Sequence, residues 1–395
     1  MKNNRTFLEK LLDGAEVEWK PLIKVASLTR GRVISKEYLA NNLGDYPVYS
    51  SQTVNNGEIG KINSFDFDGE FVSWTTDGAN AGTVFYRSGK FSITNVCGLI
   101  KIQNNLELNY KFLFYWLSIE AKNHVYSGMG NPKLMSHQME KILIPIPPLS
   151  VQTEIVKILD ALTALTSELT SELILRRKQY EYYREKLLSE EELGKVGFEW
   201  KTLGDVAKIQ RGASPRPISQ YITDDPNGIP WIKIGDTSLD SKYIENTAQK
   251  ITIEGAEKSR ILKSGDFVMS NSMSYGRPYI LKISGAIHDG WASISNFGNI
   301  LNSDFLYYYL SSNTVQSYWN GKINSSSVSN LNSDIIKSLS IPIPTLNIQI
   351  EIAKTLDKFE TLTNSITKGL PLAIEQSQKR YEYYRELLLN FPGRE

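Results

Sequence analysis

The chain carries the same passage twice. Ile144-Pro145-Ile146-Pro147 opens a long helical stretch that closes on Gln179-Tyr180-Glu181-Tyr182-Tyr183-Arg184-Glu185. Ile341-Pro342-Ile343-Pro344 opens another, closing on Arg380-Tyr381-Glu382-Tyr383-Tyr384-Arg385-Glu386. An internal duplication fixes the architecture before any local motif is weighed. The repeat extends upstream: Glu18-Trp19-Lys20-Pro21-Leu22 matches Glu199-Trp200-Lys201-Thr202-Leu203, and Leu108-Asn109 with Phe112-Leu113 matches Leu301-Asn302 with Phe305-Leu306. The separation of matched anchors grows along the chain, so insertions have accumulated between them. The interiors, 30–105 and 210–300, barely resemble each other. A shared frame around divergent interiors implies one scaffold reading two different things.

With 395 residues there is room for two or three domains with real cores. One cysteine, Cys97, excludes an internal disulfide framework and suits a reducing cytoplasm. Charges are scattered through Met1 to Leu12, unlike a signal peptide. No apolar run approaches the ~20 residues of a membrane span. The formal net charge of +1 lacks the basic excess usual in nucleic-acid binders. Such a binder would have to segregate its charge on one face or share phosphate binding with partners.

The periodicity predicts two long helices. Val151, Ile155, Ile158, Leu162, Leu165, Leu169 and Leu173, then Tyr180, Tyr183 and Leu187, recur at spacings of three and four, a coiled-coil-like stripe. Within it, 165–173 is a tandem Leu-Thr-Ser-Glu repeat, whose four-residue steps locally unwind a supercoil. Ser150 and Asn347 stand where N-caps are expected, and Gly194 where the first helix should stop. The second stripe runs from Ile348 to Leu388 and is interrupted by Gly369-Leu370-Pro371, where proline should kink or break it. Two isolated amphipathic helices would leave large apolar faces wet. An antiparallel pair is therefore expected, with the globular units at opposite ends of a rod and related by a pseudo-twofold. The expected fold is α+β: two mixed globular domains, 1–148 and 194–345, separated by long helices, 149–193 and 346–391.

No catalytic constellation emerges. There is no phosphate-cradling G-x-x-x-x-G-K-[ST] and no G-x-G-x-x-G after a strand. Asn131-Pro132 is followed by Lys133, so the Asn/Asp-Pro-Pro-aromatic signature of amino-methyltransferases is missing. His124, His137 and His288 form no metal-ligand pattern with Cys97. Asp66, Asp68 and Glu70 read as turn and solvent-face residues. The chain is read as no enzyme, with no metal or cofactor of its own.

The interiors carry recognition chemistry instead. The first offers amide- and hydroxyl-rich loops between β-type runs: Ser51, Gln52, Thr53, Asn55 and Asn56; Thr75, Thr76 and Asn80; Thr94 and Asn95; then Lys133. Gln and Asn pair bidentately with adenine edges, and Ser and Thr are adaptable partners; the same residue types are also ordinary turn formers. The second offers Arg211, Ser214 and Arg216, then Lys233, then Asn271, Ser272, Tyr275 and Arg277, then His288. Arginine beside a glycine or proline turn is a rigid donor for phosphate or guanine. Trp231 and Trp291 read as core. The segment 321–327, with Lys322 and Asn324, is expected as a polar loop for a phosphate backbone, with 128–133 as its counterpart.

Taken together, these features resemble the specificity subunit of type I restriction-modification systems. The resemblance covers nearly the whole chain. It rests on Glu-Trp-Lys-x-Leu opening each half, Gly-Asp-Phe-Val at 265–268, Ile-Pro-Ile-Pro-x-Leu-x-x-Gln before each helix and Tyr-Glu-Tyr-Tyr-Arg near each helix end. The ordered double set is specific where each piece alone is weak. The resemblance implies that each globular unit is a target recognition domain reading half of a split, asymmetric sequence in double-stranded DNA. It implies that the helices set the spacing and dock two modification methyltransferase subunits, with Tyr180, Tyr183, Arg184, Tyr381, Tyr384 and Arg385 as docking residues. Restriction motor-nuclease subunits would join them. S-adenosylmethionine, ATP and Mg would sit on those partners, in the cytoplasm, with no membrane involved. If both heads enter the major groove from one side, half-sites lie about one turn, ~10 bp, apart. The competing readings are an orphan or silent specificity subunit, a two-headed coiled-coil adaptor binding proteins or glycans, and an enzyme whose site has no recognisable motif.

Overall fold

The computed structural model describes residues 6–128, 130–238, 241–271, 275–324, 331–365 and 368–393. The chain divides into two compact units, Met1–Glu168 with Glu375–Glu395, and Leu169–Ile374. Each unit takes a globular part together with a piece of each helical stretch.

The first unit is closed by a two-stranded antiparallel ribbon. Glu18–Pro21 pairs with Leu143–Ile146, setting Trp19 opposite Pro145. The two anchor motifs are thus hydrogen-bonded neighbours. Proline is tolerated in such a strand because a two-stranded ribbon has only edges. Beyond the ribbon stands a six-stranded sheet, in the order Ala26–Arg30, Cys97–Ile102, Phe67–Thr75, Val84–Ile93, Leu43–Tyr49, Glu58–Ile62. Helix Tyr110–Glu120 covers it, capped by Asn109, whose side chain accepts from the N–H groups of Lys111 and Phe112. Leu22, Trp74, Phe112, Leu113 and Ile144 are fully buried in the core between them. Each such side chain contributes about 1.5–3 kcal/mol on leaving water. Two helical pieces complete the core: Val151, Ile155 and Leu159 from one, Leu388 and Leu389 from the other. They run antiparallel, since the Thr166 and Ser377 hydroxyls meet at 2.9 Å while Leu388 lies back at the core.

The second unit repeats the frame. Glu199–Thr202 pairs with Ser340–Ile343, setting Trp200 opposite Pro342. Helix Ser303–Leu310 is capped by Asn302. The interior differs, being two five-stranded sheets. One contains Lys208–Arg211, Trp291–Ser295, Phe267–Ser270, Pro278–Leu281 and Tyr243–Ile244; the other is built around Ile229–Ile232 and Gly285–Ile287. Trp231 and Trp291 are buried in the core, as expected. Tyr183 stacks on Phe359 at 5.4 Å, and Ile352, Ala353 and Leu356 share the core with Leu188, so here too the helical pieces run antiparallel.

Two ties fasten the helices in both units. Gln152 is wholly buried; its Oε1 accepts from Asn109 N at 2.9 Å, while Nε2 donates to Glu107 O and Pro147 O. Gln349 does the same with Asn302 N, Ile300 O and Pro344 O. The second tie is Tyr115 donating to Asp160 and Tyr308 donating to Asp357. The accompanying cation differs: Lys111 pairs with Asp160, whereas in the second unit Lys242, from the divergent interior, bridges Asp304 and Asp357 at 2.7 and 2.8 Å. Burial works against the Lys242 charge, but the two carboxylates outweigh it and hold its pKa above the ordinary lysine value.

Several local expectations are corrected. The first long helix spans Leu149–Leu187, so Ser150 lies within its first turn and Gly194 does not end it. A separate helix, Glu190–Val196, follows, capped by the Ser189 hydroxyl and rich in acid in its first turn. The second stretch is two helices, Leu346–Asn364 and Gly369–Leu389, and its start is flanked by Thr345 rather than capped by Asn347. Pro371 breaks nothing: it sits in the first turn of the second of these, where an N–H has no intrahelical partner. The turn belongs to Gly369, whose φ of +79° and whose closeness to Thr361 O and Leu362 O leave no room for a side chain. The stripe is also thinner than its periodicity implied. Among the described residues of helix Leu149–Leu187, none between Leu159 and Tyr180 is buried, and Leu165 is exposed. No described helix is long and apolar enough to cross a membrane.

Candidate nucleic-acid interface

In the first unit the predicted loops are fastened to one another. Strands Leu43–Tyr49 and Glu58–Ile62 are joined by 50–57, whose base is closed by Ser50 N donating to Gly57 O and by the Gln52 amide donating to Glu58 O. At its tip Thr53, Val54, Asn55 and Asn56 are exposed, and both asparagines adopt left-handed backbone, with φ of 50° and 53°. Asparagine tolerates that conformation better than most residues. Beneath the tip lies Arg87, 3% exposed, its guanidinium 3.6 Å from the Tyr49 ring centroid and donating to Asn56 O at 2.8 Å and Ser73 Oγ at 3.1 Å. Burial pushes its pKa down to about 10, so it remains a cation at neutral pH.

The loop after strand Phe67–Thr75 joins this tip through Asn80, whose amide donates to Ser51 O at 3.0 Å. The turn at 94–96 joins through Thr94, which donates to Ser50 Oγ at 2.9 Å. Lys133 pairs through its backbone with Tyr126 and Asp77, adding a fourth segment. Thr53, Asn55, Asn56, Asn95 and Lys133 are exposed on the resulting surface, and Ser51, Gln52 and Asn80 are half-buried. Thr75, Thr76 and Thr94 are buried, so they brace the loops rather than face solvent.

In the second unit the hub is Asp289. Its carbonyl accepts from Arg211 Nε at 3.1 Å and Asn271 Nδ2 at 3.2 Å; its carboxylate accepts from Ser214 Oγ at 3.0 Å and lies 3.5 Å from Arg216. Burial opposes the carboxylate charge, but Ser214, His288 and the two arginines outweigh it and hold its pKa below the usual range. His288 accepts from Gly290 N and packs edge-on to Trp231. Lys233, Tyr275, Arg277 and Lys322 stand apart from this hub. Lys233 donates to Gln249, Tyr275 to Asn320, and Arg277 and Lys322 lie over Tyr279 and Tyr318. The expected polar loop at 321–327 is corrected in part: Gly321 to Asn324 end helix Asn313–Asn324, and 325–327 lie outside the described residues, as does Ser272.

Dissimilar as the interiors are in sequence, the two clusters stand on the same node. Arg30 and Arg211 each end the first strand of a sheet, and Gly31 and Gly212 follow. Arg30 donates to the turn carbonyl of Asn95 at 2.6 Å, as Arg211 does to that of Asp289. Gly31 N donates to Cys97 O and Gly212 N to Trp291 O. A Cβ at Gly31 would fall 2.2 Å from Ile93 O, and one at Gly212 2.0 Å from His288 O, so only glycine fits. Thr76 N donates to Val96 O and Asn271 N to Gly290 O; Leu134 N then donates to Thr76 O and Leu331 N to Asn271 O. Arg30, Arg87, Asp289 and Tyr126 were not singled out from sequence. For Arg30 the signal was present, because Arg-Gly follows both Trp-Lys anchors at the same distance.

The docking residues expected on the helices are engaged within their own units. Tyr180 is buried, Tyr183 stacks on Phe359, and Arg184 pairs with Glu185. Tyr381 and Tyr384 pack on the first unit's core, with Arg385 lying over Tyr381. The exposed tyrosines are the middle ones, Tyr182 and Tyr383, at 58% and 63%. Two residues along a helix is about 200°, which turns a side chain to the opposite face.

The family model for the type I restriction modification DNA specificity domain matches residues 16–176 and 195–376. The chain is 41% identical to a putative type I restriction enzyme specificity subunit of Haemophilus influenzae, covering 99% of this chain and all of that one. It is 34% identical to the EcoR124I/EcoR124II specificity subunit of Escherichia coli, covering 98% and 97%. In fold it is similar to the crystal structure of a type I restriction-modification S subunit from M. genitalium, with a TM-score of 0.58 at 16% identity over 100% and 99% of the two chains.

Proposed function

The chain belongs to the type I restriction modification DNA specificity family, and from that premise we propose that its two units read the two halves of a split, asymmetric DNA sequence. It is a specificity subunit and performs no chemistry itself. Two modification methyltransferase subunits dock on its helices and carry S-adenosylmethionine; restriction motor-nuclease subunits join them with ATP and Mg. The complex works on cytoplasmic DNA. What carries this reading is one frame presented twice around unlike loops. The same strand-end node holds the turn of Asn95 in one unit and the turn of His288 and Asp289, with Asn271 and Arg216, in the other; Asn55 and Asn56 stand on a loop tied to the first turn through Thr94 and Ser50. Asparagine amides suit adenine edges and arginine suits guanine or phosphate. Tyr182 and Tyr383, exposed at matching positions of the two repeats, are the residues through which two copies of one partner would dock.

Single-molecule methylation sequencing of the source cell's DNA, with and without this gene, tests the reading. Loss of one bipartite adenine-methylated motif on deletion is the expected result. An unchanged methylome would mean a silent copy or no DNA-reading role, and salt-dependent DNA binding of the purified protein with its partners would separate these.

A further inference from the structure

We infer that Arg30 and Arg211 are an equivalent pair of DNA phosphate contacts, one in each recognition unit; the inference rests on the DNA-reading assignment and adds to it. Two heads that read different bases need different residues wherever they meet base edges. Whatever is identical between them must serve something that does not vary with sequence. At the interface, the varying parts are the loops: Val54-Asn55-Asn56 in one unit, Ser214-Pro215-Arg216 in the other. The unvarying part is the node of a strand-end arginine, a glycine with no room for a Cβ, and a turn carbonyl that accepts from the arginine. On duplex DNA the sequence-independent partner is the phosphate backbone, and its contacts set register rather than read bases.

The geometry suits that task. Both arginines are exposed residues, the Arg30 side chain to 34%, and each grows from a strand rather than a loop, so its position is fixed by the sheet. The bond to the Asn95 or Asp289 carbonyl orients the planar group and leaves other N–H groups of the five-donor fork available. Arg30 Nη2 also donates to Thr76 Oγ1 at 2.9 Å and pairs with Asp77 at 3.4 Å, while Nη1 lies 3.9 Å from Met135 Sδ, so a phosphate there would take the Nε–H and the remaining Nη1–H or displace the Asp77 carboxylate.

The test uses the protein assembled with its modification subunits. Affinities of R30Q, R211Q and the double variant are measured from about 0.05 to 0.2 M salt, on duplexes with and without the recognised motif. Each neutralised phosphate contributes about 0.9 to the slope of log K against log salt. Each single variant should therefore lose about 0.9 of slope, and the double variant about 1.8. The affinity loss should be the same factor on both duplexes, and the methylated motif should be unchanged. R30K and R211K should restore the slope, since the slope counts neutralised phosphates and follows the charge; residues that only braced the turn would lower affinity in the glutamine variants and leave the slope where it was. An unchanged slope in the glutamine variants, or a changed base preference at one half-site, would overturn the inference alone. Absence of salt-dependent DNA affinity in the unsubstituted assembly would overturn the DNA-reading assignment and this inference together.

Discussion

At the residue scale, the firmest features are buried amides whose oxygen and nitrogen are both hydrogen-bonded. Gln152 and Gln349 each satisfy one N–H and two carbonyls from three different segments. Truncation to alanine strands those groups at roughly 1 kcal/mol each, the low end of the usual range because water can enter the space left. Q152A should destabilise the first unit, and Q349A the second, by about 2–4 kcal/mol, measured by urea denaturation. Cys97 supplies a local probe for the first unit. It is 4% exposed, and burial pushes its thiol up to about 11, so at pH 8 roughly one molecule in a thousand carries the reactive thiolate. Iodoacetamide at pH 8 should leave the native protein unlabelled and modify it fully in urea. Fast native labelling would show that the sheet carrying Cys97 opens readily. Q152A should raise the native labelling rate roughly thirtyfold, as an opening made easier by about 2 kcal/mol requires. These glutamines were visible in sequence only as the last letter of a repeated motif. That they clamp three segments was not, because a Gln in a helical stretch reads as solvent face until its partners are known.

The elements show where periodicity informs and where it does not. Helix Leu149–Leu187 was legible from its three- and four-residue spacing, and so was the repeat it belongs to. Its actual burial was not: the leucines at 165, 169 and 173 keep the period yet none is buried, because periodicity records what a helix offers and not what covers it. The break in the second stretch was legible but assigned to the wrong residue. Pro371 fits a first turn, and it is the left-handed Gly369 that turns the chain. The thin middle of the first helix has a use. The boundary between compact units, Glu168 to Leu169, falls inside the Leu-Thr-Ser-Glu tandem. One more copy of that tetrapeptide in 165–173 adds about 6 Å of helix at no cost in buried core. Assembled with its modification subunits, such a variant should direct methylation to a motif with a longer gap and unaltered half-sites. Methylation of the original motif, unchanged, would show that the helices do not set the gap.

Across the whole molecule, the duplication was the most legible property and the recognition surface the least. Loops were located from their amides and hydroxyls, yet Thr75, Thr76 and Thr94 proved to be buried supports, while Arg30 was passed over. Composition marks a polar loop, whereas the direction of each side chain depends on which strand end it caps. If each unit reads its own half-site, replacing Gln52 or Asn56 should alter base preference in one half only, and replacing Arg277 in the other only, as read by methylation sequencing. Uniform weakening of both halves would assign these residues to phosphate contact or to the fold. The two-stranded ribbons carry a last consequence. The strand leading into each unit lies beside the strand leading out, at Trp19 with Pro145 and at Trp200 with Pro342. Everything between is a bag tied at the neck. A foreign interior spliced in just inside either neck would be received by the same knot and hung on the same helices. An exchange of interiors at the two necks would therefore replace a unit's loops while leaving its fastening to the helices intact.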